Sequence, residues 1–134
     1  MKNSSFNTLQ VYQKSLVLKD LTTAIAYYFS HDSNFFSNSK SEGLRTEIAK
    51  ALFVDASLIS SNIKEVTVSK SGVVRNKNLI FINIMTRNIL SYCNGLEKDG
   101  VKEKEYVHLL RREIQIFRSH FKQWRKSLQT SDDN

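Results

Sequence analysis

Not one proline interrupts this chain of 134 residues, and only four glycines occur in it. Proline removes a backbone donor and clashes with the preceding turn, so its absence permits long unbroken helices. Three of the glycines, Gly43, Gly72 and Gly100, fall where the apolar spacing breaks and mark natural turn points. Between the breaks the apolar residues recur at helical intervals, and the chain divides into four stretches of similar length.

The spacing predicts a first helix over about residues 7–29, with Val11, Leu18, Leu21, Ile25, Tyr28 and Phe29 as its stripe. Leu9, Tyr12, Leu16 and Tyr27 form a second apolar patch on its other side. The polar segment SHDSNFFSNSKSEG follows, and Phe35 and Phe36 within it are expected to cover the end of the core. A second helix is expected over 41–70, with Ser41 as N-cap and Leu44, Ile48, Ala51, Leu52, Ala56, Ile59, Ile63 and Val66 on one face. Its last turn, VTV, is β-branched and the weakest part.

A third helix is expected over 73–98, carrying Leu79, Ile82, Ile84, Met85, Ile89, Leu90, Tyr92, Cys93 and Leu96. Its segment LIFINIMTRNIL is apolar on several sides; a buried strand at LIFINI is the rival reading, because β-branched and aromatic residues dominate there. The fourth helix is expected over 102–128, with Tyr106, Leu109, Leu110, Ile114, Phe117, Phe121, Trp124 and Leu128 inward and Ile116 off the stripe. Residues 129–134 are expected to fray. Helices of about 25 residues with short connections pack most economically as an all-α, antiparallel up-down-up-down four-helix bundle spanning residues 1–134 as one domain.

Composition narrows the functional classes. At 40% hydrophobic and 25% charged residues the chain is not of the disordered type. It has no apolar run of membrane-spanning length, and its start, MKNSSFNTLQ, lacks the apolar segment of a secretory leader. Cys93 is the single cysteine, so no internal disulfide is possible, and a reducing cytoplasm is the expected location. The formal charge is +7, from 20 Lys and Arg against 13 Asp and Glu, which favours a polyanionic partner, nucleic acid before a membrane surface.

Catalytic signatures are missing. His31, His108 and His120 have no second His or Cys three or four residues away, as helical metal ligands require. Glu105 and His108 make one Glu-x-x-His pair, whereas a di-iron bundle needs two. No Gly-rich phosphate loop or nucleophile elbow occurs, and Cys93 lies in an apolar segment without a paired base. Neither a metal nor a cofactor is expected, and an enzyme is not expected.

The strongest local signal is LRREIQIFRSHFKQWRKSLQ, residues 110–129, which carries Arg111, Arg112, Arg118, Lys122, Arg125 and Lys126 against one acid, Glu113. At about 100° per residue, Arg111, Arg118, Lys122 and Arg125 fall within an arc of about 60°, with Lys126 at its border. Like charges at three- and four-residue spacing repel, so helix stability does not explain the column. Phosphates would explain it; a face kept positive for solubility is the bland alternative. A second cluster, Lys64, Lys70, Arg75 and Lys77, surrounds the expected turn between helices two and three. Ser69, Ser71, Asn76 and Asn78 beside it are residue types that contact phosphates. Whether the two clusters share a surface is open at this level. Phe121 and Trp124 could stack bases, but their place on the apolar stripe favours the core. No sequence-reading motif appears, so the expected mode is backbone-directed and salt-sensitive.

LQVYQKSL at 9–16 resembles the L-x-V-W-x-K-A opening of the ribosomal-RNA intervening-sequence four-helix-bundle proteins. LRTEIAKALFVDASLISSNIKE at 44–65 resembles their second helix, with Ser61, Asn62, Ile63 and Glu65 at the matching places. Ser60 stands where that family usually has proline and Val66 where it has glycine; Asn88, Ser91 and Asn94 lie where its third helix is usually acidic. These departures, the basic charge and IFRSHFKQWRKSLQ at 116–129 make the chain similar to a basic sister branch, the accessory variability determinant of diversity-generating retroelements. The resemblance implies a homopentamer that binds RNA or DNA and a reverse transcriptase and has no catalytic site. It also implies that Arg111, Arg112, Arg118, Lys122, Arg125 and Lys126 supply the nucleic-acid surface. Surplus apolar surface on helices one and three is an independent reason to expect an oligomer. The alternative is an adaptor bundle that binds a protein partner and makes no direct contact with nucleic acid.

Overall fold

The structure, a computed structural model, describes residues 2–31, 40–98 and 104–132, with side chains over 5–28, 43–98 and 105–129. Four helices account for nearly all of it: α1 (Lys2–His31), α2 (Lys40–Val68), α3 (Gly72–Lys98) and α4 (Lys104–Asp132). LIFINI is helical, so the strand alternative falls. Phe29, Phe35, Phe36, Ser41 and Gly100, singled out in the sequence, lie outside the described side chains. Gly43, expected at a turn, is inside α2, and α4 continues to Asp132 where fraying was expected from residue 129.

Each helix packs on two neighbours, α1 on α2 and α4, and α3 on α2 and α4, and among the described residues there is no close approach across either diagonal. The numbering of contacting residues runs in opposite directions at every seam. Tyr12 meets Lys64 and Ser15 meets Ser60 across α1/α2. Thr8 meets Trp124 and Tyr28 meets Tyr106 across α1/α4. The bundle is therefore antiparallel and up-down-up-down.

The buried positions explain why. In α4 they are Val107, Leu110, Ile114, Phe117, Phe121 and Trp124, spaced alternately three and four residues apart. Leu79, Ile82, Thr86, Ile89, Cys93 and Leu96 repeat the pattern in α3, and Ala49, Leu52, Ala56, Ile59, Ile63 and Val66 in α2. Val11, Ser15, Leu18, Thr22 and Ile25 do so in α1. A seven-residue repeat averages 3.5 residues per turn and keeps one narrow stripe facing the bundle axis, as in knobs-into-holes packing.

Four buried positions hold hydroxyls, and each is satisfied. Ser15 Oγ donates to the Tyr12 carbonyl at 2.6 Å, and Ser60 Oγ donates to Ser15 Oγ at 3.1 Å. Thr22 and Thr86 donate to the carbonyls of Lys19 and Asn83. Small side chains at Ser15 and Ser60 let α1 and α2 approach there without an orphaned polar group. Meanwhile Leu9 and Leu16 of α1 are exposed, so the second apolar patch read on that helix faces outward. Leu44, Ile84, Tyr106 and Leu109, expected inward, are also exposed, and Val107 is buried in their place at the start of α4.

Between α2 and α3 the backbone passes through Ser69–Ser71 alone. Ser71 Oγ accepts the Val74 N–H at 3.3 Å and the Ser71 carbonyl accepts the Arg75 N–H at 3.0 Å, so Ser71 is the N-cap of α3. Across the α2/α3 seam, burial pushes the Asp55 carboxyl up, and hydrogen bonds from Asn88 and Tyr92 partly offset that rise. No described helix is long and apolar enough to cross a membrane.

Candidate nucleic-acid interface

Arg111, Arg118 and Arg125 are one heptad apart, and each follows directly on a buried residue, Leu110, Phe117 or Trp124. That register places all three on the flank of α4 that turns toward α3, where each is half-buried. Their aliphatic stems run along the core while the guanidinium heads remain polar. Lys122 lies just outside this row, and Arg112 and Lys126 lie further out; all three are exposed. Glu113, the acid within the same stretch, falls on the opposite flank, toward α1.

The α3 side of this seam is built on the same repeat. Asn76, Asn83, Leu90 and Glu97 are seven residues apart and follow the core slots of α3 on its α4-facing flank. Arg111 Nη1 donates to Glu97 Oε1, and Nη2 donates to Asn94 Oδ1 at 2.8 Å. The Glu97 hydrogen bond holds the Arg111 guanidinium even further above its ordinary value. Arg111 is thus neutralised in place, against the expectation that only Glu113 offsets the cations. The antiparallel register that pairs Arg111 with Glu97 carries Arg118 to the level of Leu90 and Arg125 toward the start of α3, beside Arg75, Asn76 and Leu79, and none of these is acidic. Among the described residues no carboxylate pairs with Arg118, Lys122 or Arg125.

The α3/α4 seam is also the least intimate of the four. It ends in a concavity of about 450 Å³ lined by Gly72, Arg75, Asn76, Leu79, Arg125, Leu128 and Gln129. Arg75 occupies a core slot of α3, one heptad before Ile82, at the end of the bundle. So the two basic clusters meet, but only through Arg75 and Arg125. Lys64 lies elsewhere: its Nζ sits 5.5 Å from the centroid of the Tyr12 ring, in the α1/α2 seam. Lys77 Nζ lies 5.9 Å from the Phe81 ring on the outer side of α3, and Lys70 is exposed in the turn after α2.

Arg87 and Asn83, not singled out from sequence, belong on this flank. Arg87 is exposed, seven residues from Asn94, and adds a cation along the mouth of the seam. The seven-residue spacing on α3 was the available signal, hidden because the residues concerned differ in type.

Trp124 is wholly buried, and its Nε1–H donates to Thr8 Oγ1 at 2.8 Å; Phe121 is buried beside it. Neither ring is a stacking platform, in accord with the core reading. Cys93 is buried too, and desolvation pushes its thiol up to about 11, so it stays protonated at neutral pH. Among the described residues no three His, Cys, Asp or Glu side chains come together. No protein-family model matches the chain, and no curated protein or solved structure matches it.

Proposed function

We propose that this bundle is a non-enzymatic protein that holds RNA or DNA by its phosphates along the α3/α4 seam. One observation carries the reading: arginines recur at heptad spacing on one flank of α4, and the facing helix supplies a carboxylate to Arg111 but places none at the levels of Arg118 and Arg125. With Lys122 and Arg87 at its mouth, the seam is a linear track of positive charge bordered by the Asn83 and Asn94 amides. A polyanion lying along it would release counterions and gain charge-assisted hydrogen bonds without base-specific contacts. The Cys93 thiol, kept protonated chiefly by burial, fits a binding role rather than nucleophilic catalysis.

Titration of binding to single-stranded RNA and DNA over 50–200 mM salt (a range that spans the expected loss) tests this. Affinity falls steeply with salt, and reversing Arg118, Lys122 and Arg125 to Glu lowers it at least a hundredfold while helical content is kept. Unchanged affinity in the reversed variant rejects the seam. The resemblance to the retroelement accessory proteins adds a reverse transcriptase as protein partner and five subunits as the assembly. Co-purification with a reverse transcriptase and light scattering address those two points.

A second reading rests on a different surface. Leu9 on α1, Val54 and Leu58 on α2, and Ile80, Phe81 and Ile84 on α3 are all exposed. Such apolar surface suits self-assembly or a protein adaptor. A partner retained through nuclease treatment and high salt, with no affinity for nucleic acid, favours the adaptor.

A further inference from the structure

Across the bundle from the arginine row, the α1/α2 seam opens near one end into a groove of about 550 Å³. The opening follows from side-chain size. Ser5 and Tyr12 are one heptad apart on the α2-facing flank of α1, so a phenol ring at one level gives way to a hydroxymethyl at the next. Thr8 continues the inward row of α1 three residues before Val11, and Thr67 stands opposite on α2. Three small side chains therefore meet where larger ones would close the seam. Among the described residues, Leu9, Tyr12, Ile63 and Val68 form the walls. Ile63 is a core residue at 1% exposure, so the groove reaches down to the core layer instead of lying flat on the surface. Lys64 brings charge to the wall: its Nζ lies 5.5 Å from the centroid of the Tyr12 ring, a cation–π contact at the inner end of the groove. From Ser5 to Tyr12 the groove runs about 10 Å, at 1.5 Å per residue.

We propose that this groove binds an aliphatic carboxylate, its chain between α1 and α2 and its head at Lys64. The site stands apart from the nucleic-acid reading, because it lies on the other pair of helices. Depth selects a chain. A slot that reaches Ile63 takes a narrow aliphatic body, whereas a partner helix lies on a broad, shallow face. Charge selects the head. The Lys64 ammonium matches a monoanion, and the apolar walls beside it strengthen a charge-assisted hydrogen bond. The fold already engages both threonines: Thr67 Oγ1 donates to the Ile63 carbonyl at 2.8 Å, and Thr8 Oγ1 accepts the Trp124 Nε1–H. Ser5 and Lys64 remain at opposite ends of the groove, and of these two Lys64 is the one that attracts an anion.

The test is calorimetric titration of the full chain at neutral pH with octanoate, octanol and acetate, each below its micellar or solubility limit. The emission of Trp124, the single tryptophan of the chain, is followed in parallel. That indole reports on the groove because its hydrogen bond ends on Thr8, which lines it. Octanoate is expected to bind saturably and to shift the emission. Octanol is expected to bind about tenfold more weakly, for want of the charged hydrogen bond, and acetate to bind not at all. Lys64→Gln lowers octanoate to the affinity of octanol. Leu9→Glu sets a second carboxylate beside the ligand and abolishes octanoate binding. Both residues are exposed, and melting curves confirm that both variants fold. Equal affinity for octanoate and octanol in the unaltered protein overturns the carboxylate head, and acetate binding as tightly as octanoate overturns the chain. Octanoate affinity unchanged in the two variants overturns the site, and so does a titration in which octanoate does not bind.

Discussion

Along one flank α4 meets α1, and along the other it meets α3; the two contacts use different chemistry. Toward α1, the Trp124 indole is sealed in the core and its one polar atom is matched by Thr8, while the rings of Tyr28 and Tyr106 lie 5.7 Å apart at the other end. Toward α3, the flank is a row of arginines facing amides, a leucine and one glutamate, and the helices stand less closely packed. Apolar surface and a satisfied indole stabilise a fold; a loosely packed cationic seam contributes little to folding. One amphipathic helix therefore divides its labour, with the α1 side holding the bundle and the α3 side the one proposed to take a ligand.

The largest effect that distinguishes the two flanks is expected from Trp124→Ala. Removing a fully buried indole should cost about 3–5 kcal/mol, read by chemical denaturation. Affinity for nucleic acid, measured where the variant is still folded, should stay near wild type. A large loss of affinity in the folded variant would mean the α1 flank also takes part in binding. Next in size is Thr8→Val, which keeps the shape but removes the acceptor of the Trp124 Nε1–H. A buried donor left without a partner costs about 1–3 kcal/mol. A loss below about half a kcal/mol would show that water replaces the hydroxyl.

How much of this could be seen in the sequence follows from the same two flanks. Leu110, Ile114, Phe117, Phe121 and Trp124 were legible because apolar residues at three- and four-residue steps have one way to be buried together. Val107 and Leu109 were exchanged for a definite reason. A straight-helix wheel drifts by about 20° per heptad relative to a 3.5-residue repeat, and over two heptads the error reaches the edge of the stripe. On α1 the difficulty was chemical. Ser15 and Thr22 fill core slots yet read as polar, while Leu9 and Leu16, read as a second patch away from the stripe, lie outside. Apolar spacing identifies which residues prefer burial, not which slots the bundle axis passes. The cation column on α4 was visible as a pattern, but the partner of Arg111 was not. Glu97 is 14 residues away on another helix, and only the antiparallel register joins them.

That register supplies the smallest and sharpest expected difference. Arg111 and Arg118 are the same residue type on the same flank, one heptad apart, and both are half-buried. They differ in that Arg111 is held by Glu97 and Asn94. A cation already matched by a carboxylate has no counterion to release when a phosphate arrives, whereas a solvated one does. Arg118→Gln should therefore reduce the slope of log affinity against log salt by about one, as expected for a lost phosphate contact. Arg111→Gln should leave that slope unchanged. It should lower stability by no more than about 1 kcal/mol, since the pair is partly exposed. Its affinity should fall a little all the same, because the Glu97 carboxylate then lacks the Arg111 cation beside the strand. Equal slope changes in the two variants would mean that Arg111 leaves Glu97 on binding, and the two ends of the seam would then be one continuous contact.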